Sequence, residues 1–160
     1  MLMKTLNDVH KILIAVEDSL YSSRAVDYGF DLAQKLGAEV GLVHVDELPV
    51  ATPYVADPLV TEQPVMMPEL IKVQEETSKR LLDRIADEKM GKAPIYTFPR
   101  IGNTRDEILS AAEEWNADMI ILGTHGRTGF DHFISGSVAE SVVRKAKCPV
   151  LVIPNKEYGI

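Results

Sequence analysis

The sequence predicts an α/β fold: an open, five-stranded parallel sheet, Rossmann-like in its winding, with helices on both faces. Two observations carry this. Five short apolar runs rich in strand formers alternate with four segments of helical periodicity, and the runs are apolar throughout rather than alternating, as in strands buried on both faces. Each connection is also long enough for a parallel crossover. At 160 residues the chain suits one domain, 1–160, with no tandem repeat and no low-complexity tract.

The first strand is Lys11 to Val16, Lys-Ile-Leu-Ile-Ala-Val. Ser22 and Ser23 are N-cap candidates for a helix whose Val26, Phe30 and Ala33 fall at helical spacing, and Gly37 is placed to end it. Val40 to Val45 forms the second strand and completes a βαβ unit. From Asp46 to Met67 the pattern breaks down around Pro49, Pro53, Pro58 and Pro64, each lacking a backbone donor and biasing its predecessor away from helix. Residues 47–67 are read as a long, partly disordered loop rather than an ordered lid. Pro68 opens a long helix with Leu70, Val73, Thr77, Leu81 and Ile85 as its apolar face, while Glu75, Glu76, Lys79 and Arg80 form solvated i,i+4 pairs. Gly91 ends it. Ile95 to Arg100 resembles a strand, and Pro99, which cannot donate to a ladder, marks either an edge position or the strand's end. Asn103 or Thr104 caps a helix that buries Ile108, Ala112 and Trp115. The strand Met119 to Leu122, a helix from Val138 to Ala146 and a last strand, Pro149 to Ile153, complete the order.

Composition narrows the function. A formal charge of −7 and an isoelectric point near 5.1 argue against a broad basic face for nucleic acid. The lone Cys148 excludes an internal disulfide. The start, Met1-Leu2-Met3-Lys4, lacks the pattern of a signal peptide, and no apolar stretch approaches the roughly 20 residues that span a bilayer, so a soluble cytoplasmic protein without membrane contact is expected.

The chemistry concentrates between Gly123 and Ser137. Gly-Thr-His-Gly, nine residues and Gly-Ser stand between a strand and a helix, where glycines let backbone N–H groups approach an anion and the helix start adds its unpaired N–H groups and dipole. A nucleotide is the expected ligand, in the crevice at the ends of the first and fourth strands, where the winding reverses. A turn alone accounts for Gly123 or Gly126, but not for Gly136-Ser137 at a helix start. Neither a Walker A loop nor a dinucleotide fingerprint is present, since the first strand runs into Glu17-Asp18-Ser19. His125 and His132 lack partners for a metal ligand set. His44 reads as a hydrogen-bonded core residue, Asp18-Ser19 as a turn or helix cap, and Met66 and Met67 as apolar filler.

These residues resemble the universal stress protein family over nearly the whole chain: Lys11 to Val16, His44-Val45, Gly102-Asn103, Ala-Asp-Met-Ile-Ile-Leu-Gly-Thr-His-Gly-Arg from Ala117, Gly-Ser-Val-Ala-Glu from Gly136 and Cys-Pro-Val-Leu-Val-Ile-Pro from Cys148. The nucleotide-binding branch of that family carries Gly, two residues, Gly, nine residues, Gly and Ser or Thr, matched here by Gly123, Gly126, Gly136 and Ser137. The resemblance implies a fold like that of the adenine nucleotide α-hydrolases and binding of ATP, ADP or AMP, with magnesium or manganese as an accompanying ion. It implies phosphates surrounded by Gly126, Arg127, Gly136, Ser137 and Val138. Adenine would touch Ala15, Val16 and the backbone of Val45, above a floor of Leu122 and Gly123. Glu17 stands where binding members usually have Asp, one methylene longer, in position for ribose or a metal-bound nucleotide. Ala139 stands where some have a hydroxyl. The resemblance further implies a homodimer meeting through Val150, Leu151, Val152 and Ile153, whose exposed apolar edge would otherwise template aggregation; a C-terminal tail folded over that edge is the alternative.

No nucleophile or base stands out, so the expectation is a stress-response sensor or regulator with at most a slow ATPase. Two rivals stay open: a nucleotide-independent module whose Pro-rich loop engages a protein partner, and an adenylate-forming or nucleotide α-hydrolysing enzyme. Glu17-Asp18-Ser19-Leu20 resembles neither of the motifs that such enzymes carry after the first strand.

Overall fold

The computed structural model describes residues 5–17, 22–47, 68–124 and 136–154. Positions 48–67 of the expected loop, together with Asp18, Ser19, Met66, Met67, His125, Gly126, Arg127 and His132, lie outside the described residues.

Five strands, β1 (Lys11–Ala15), β2 (Glu39–Asp46), β3 (Ile95–Ile101), β4 (Met119–Gly123) and β5 (Val150–Ile153), form one sheet in the order β3-β2-β1-β4-β5. Every pairing is parallel. Helices α1 (Ser22–Leu36) and α2 (Pro68–Glu88) cover one face, and α3 (Thr104–Trp115) and α4 (Ser137–Lys145) the other. This is the expected architecture. Its physical basis is visible in the central strands: Ile12, Leu13 and Ile14 of β1 are all fully buried, Ile12 and Ile14 against the α1/α2 layer and Leu13 against the α3/α4 layer.

Local signals hold at most helix ends. Gly37 follows α1 with φ +66°, the left-handed conformation that glycine adopts without penalty. The Asn103 side chain accepts the Asp106 N–H at 3.1 Å and caps α3. Pro99 sits on edge strand β3 opposite His44. Strand ends differ by one residue from expectation: β1 stops at Ala15, β2 spans Glu39–Asp46, β3 runs on to Ile101, and β5 begins at Val150 rather than Pro149. Likewise, α4 starts one residue early, at Ser137.

The apolar face assigned to α2 needs correction. Of that face Ile85 is buried and Leu81 packs half-buried against the core, but Leu70 and Val73 are 48% and 57% exposed and Thr77 is exposed too; the other buried residues are Ser78 and Leu82. The buried polar position has a partner: the Ser78 hydroxyl donates to an Asp46 carboxylate oxygen at the end of β2. A satisfied hydroxyl can occupy a buried position that periodicity assigns to an apolar side chain. A second long-range polar tie went unread in the sequence. Asp118, buried before β4, accepts the backbone N–H groups of His10 and Lys11 at 3.0 Å each and so anchors the start of β1.

Candidate functional site

The winding reverses between β1 and β4. From β1 the chain proceeds through α1 to β2 on one side, while β4 leads to α4 and β5 on the other. Helices from opposite faces therefore begin beyond adjacent strand ends, and the two ends are left uncovered between them. The β1/β4 register pairs Ile14 with Ile121, so that its continuation sets Ala15 beside Leu122 and Val16 beside Gly123. On the other flank, Ala15 pairs with Val43, and the Val16 N–H donates to the Val43 carbonyl at 2.8 Å. Ala15, Val16, Glu17, Val45, Leu122 and Gly123, drawn from three strands, thus converge on one end of the sheet. Val16 and Leu122 are buried; Ala15, Glu17, Val45 and Gly123 are half-buried.

The start of α4 is held against the end of β4 by main-chain contacts. Thr124 N–H donates to the Ile153 carbonyl at 3.1 Å, and the Thr124 carbonyl accepts the Gly136 N–H at 2.9 Å. Gly136 is the N-cap and supplies no side-chain oxygen. Ser137, Val138 and Ala139 make up the first turn, whose N–H groups have no intrahelical acceptor and point out from the positive end of the helix. Ser137 is exposed and Val138 half-buried.

The two glycines exchange roles relative to expectation. A Cβ on Gly136 would lie 2.6 Å from the Thr124 carbonyl oxygen, so the close approach of α4 to β4 already requires glycine there. At Gly123 a Cβ would meet nothing among the described residues nearer than the Ile153 carbonyl oxygen, 3.9 Å away. Its φ is not positive either. Thus Gly136, which a turn did not explain, has a structural cause, whereas Gly123 has none in the described fold. Thr124, inside the glycine-rich motif but passed over in the sequence, is the residue that joins the two.

Two more groups reach this end of the sheet. His44, 5% exposed, places Nδ1 2.7 Å from the Val16 carbonyl oxygen, and its Nε2 lies 3.6 Å from Asp46 Oδ1. The expectation of a hydrogen-bonded core histidine holds; Asp46 and Ser78 behind it had no sequence signal. Among the described residues no cluster of three or more His, Cys, Asp or Glu side chains could hold a metal ion. No helix of the described residues is long and apolar enough to cross a membrane.

The sequence profile of the universal stress protein family matches residues 8–154. The chain belongs to the universal stress protein family. The universal stress protein MJ0531 of Methanocaldococcus jannaschii is 34% identical over 149 residues, covering 92% of this chain and 84% of its own. The solved structure of MJ0577, from the same organism, matches with a TM-score of 0.70 at 25% identity, across 93% of this chain and 98% of that one. Two further universal stress protein structures share the fold. One, in complex with cAMP, has a TM-score of 0.67 at 18% identity over 92% and 99% of the two chains. The other, from Archaeoglobus fulgidus in complex with dAMP, has a TM-score of 0.58 at 24% identity over 90% and 97%. This universal stress protein therefore shares its fold with proteins solved in complex with cAMP and with dAMP.

Proposed function

We propose that this universal stress protein belongs to the nucleotide-binding branch of its family and binds ATP, or the ADP or AMP left after turnover. The observation that carries this is Gly123: a glycine at the mouth of the cleft, beside the first turn of α4, whose missing side chain leaves open space that the described fold does not use. In this reading the first-turn N–H groups of Ser137 and Val138 face the phosphates, together with Gly126 and Arg127 of the same motif, while Gly136, its own N–H held by the Thr124 carbonyl, lets the helix start approach them. Ala15, Val16 and the Val45 backbone hold the adenine over Leu122 and Gly123. Glu17 reaches the ribose or a magnesium or manganese ion that accompanies the phosphates. These groups suit an adenine nucleotide chemically: donors from a helix start for the anion, apolar surface for the base and a carboxylate for hydroxyls or a cation. Bound cAMP and dAMP in proteins of the same fold support the ligand class.

The protein acts in this reading as a cytoplasmic sensor or regulator formed by a single domain, with at most slow ATP hydrolysis. It works as a homodimer joined through Val150, Leu151, Val152 and Ile153. Support for the dimer comes from the sheet edge: β5 pairs only with β4 among the described strands, and all four of its residues keep partial exposure. The test is direct. Freshly purified protein is denatured and the supernatant chromatographed for adenine nucleotides, and ligand-free protein is titrated with ATP and magnesium by calorimetry. Released nucleotide or a saturable isotherm is expected. No nucleotide and no heat at millimolar ATP would refute the assignment.

A further inference from the structure

A parallel ladder between β1 and β2 advances by alternate residues. The Val16 N–H donates to the Val43 carbonyl, so the next bond would run from the Val45 N–H to the Val16 carbonyl. That bond is not among the hydrogen bonds of the described residues. Instead the Val16 carbonyl faces His44 Nδ1 at 2.7 Å. A carbonyl oxygen only accepts, so Nδ1 carries the hydrogen and donates it, which settles the ring's role at this atom. Behind the ring, Nε2 faces Asp46 Oδ1 at 3.6 Å, and the other Asp46 oxygen accepts the Ser78 hydroxyl of α2. The ring is thereby fixed at Nδ1 by the residue that follows β1, with Asp46 of β2 behind it, itself bonded to Ser78 of α2.

The consequence falls on Val45. With the Val16 carbonyl bonded to the histidine and not to Val45, the Val45 N–H, which points to the β1 side of the ladder, has no ladder partner among the described residues, and a flat heteroaromatic base with a ring-nitrogen acceptor would supply the missing bond. We propose that His44 is a positioning residue for the nucleotide: by capturing the Val16 carbonyl it keeps the Val45 N–H available to the adenine. This inference rests on the nucleotide reading above and deepens it. It also explains why a buried histidine stands in a strand where Val43 and Leu42 are wholly apolar.

The experiment measures amide exchange of Val45 by NMR, with and without ATP, in the native protein and in His44→Leu and His44→Asn, together with ATP affinity. Asn can place a side-chain N–H near the position of Nδ1; Leu cannot. In the native protein Val45 exchanges faster than Val43 and slows when ATP binds. In His44→Leu the released Val16 carbonyl takes the Val45 N–H, so that Val45 is already protected without ligand and the Kd for ATP rises about tenfold, as for one lost hydrogen bond to the base. In His44→Asn the Kd stays within about threefold of native. Three outcomes overturn the proposal: native Val45 as slow as Val43 without ligand, which needs no variant; unchanged Kd in a folded His44→Leu; or equal losses in Leu and Asn. A native protein that binds no ATP removes the nucleotide reading and this one with it, whereas native binding that survives His44→Leu removes this one alone.

Discussion

Replacing each cleft glycine by alanine, one at a time, separates a glycine that the fold requires from one that a ligand requires. At position 136 the added methyl would sit 2.6 Å from the Thr124 carbonyl oxygen, whereas relaxed C···O contacts begin near ~3.3 Å. The start of α4 must move by several tenths of an ångström, and the 2.9 Å bond from Gly136 N–H to that same oxygen moves with it. Overpacking of this kind costs about 1–3 kcal/mol, and the strained backbone bond falls in the same range. A loss of about 2 kcal/mol lowers the melting temperature of a chain this size by roughly 4–8 °C. At position 123 the nearest described atom is 3.9 Å away, so Gly123→Ala should leave stability within about 0.5 kcal/mol of native. The methyl would, however, enter the space assigned to the nucleotide and raise its Kd at least about tenfold, or about 1.4 kcal/mol. The assays are differential scanning calorimetry for both variants and ATP titration for Gly123→Ala. Native ATP affinity in Gly123→Ala would refute the argument that its open space belongs to a ligand; native melting in Gly136→Ala would refute the close approach of α4 to Thr124.

The remaining predictions address the core, the surface and assembly. Phe30, fully buried between α1 and the sheet, should cost about 3–5 kcal/mol on replacement by Ala, read from urea denaturation. Arg105 hydrogen-bonds Asp106 and holds its carboxyl below the ordinary carboxylate value, and Arg100, aided by Ser110, does the same for Glu114. A folded-state value below the unfolded one stabilises the protein above the unfolded value, and that contribution disappears as pH falls through the folded value. Carboxyl NMR titrations should therefore show both midpoints rising in Arg105→Ala and Arg100→Ala respectively, with only a small change in acid stability because both carboxylates are exposed. Sedimentation velocity should give twice the 17.7 kDa chain mass for native protein and a monomer for Val152→Glu, whose charge would break an edge-to-edge pairing of β5. A native monomer would eliminate the dimer.

Most of the architecture was legible because its signals are local. Apolar runs marked all five strands to within one residue at each end; burial on both faces is the reason for β1, β2 and β4, while the edge strands β3 and β5 contain no buried residue. Gly37 and Asn103 marked helix ends through the backbone conformation of one and the side-chain oxygen of the other. Pro99, lacking a donor, pointed to an edge or a strand end, and the structure shows the edge. The cleft between β1 and β4 was expected from the glycine-rich segment after the fourth strand, whereas the sheet order β3-β2-β1-β4-β5 came from the structure. What failed did so for a common reason. The burial of Ser78 on α2 goes with its bond to Asp46, 32 residues earlier, and no periodicity along one helix contains the residue waiting beneath it. The same holds for Asp118 with the N–H groups of His10 and Lys11, more than 100 residues before it.

The amino-acid order alone therefore determined the succession of strands and helices, the family and the spacing of a glycine-rich segment around a helix start, because propensity, capping and backbone freedom act within a few residues. Only the folded chain decided which glycine the backbone itself demands, and that His44 takes the carbonyl that would otherwise occupy Val45. Those outcomes depend on distances of a few tenths of an ångström between segments far apart in the chain, and such distances exist only once the layers have packed.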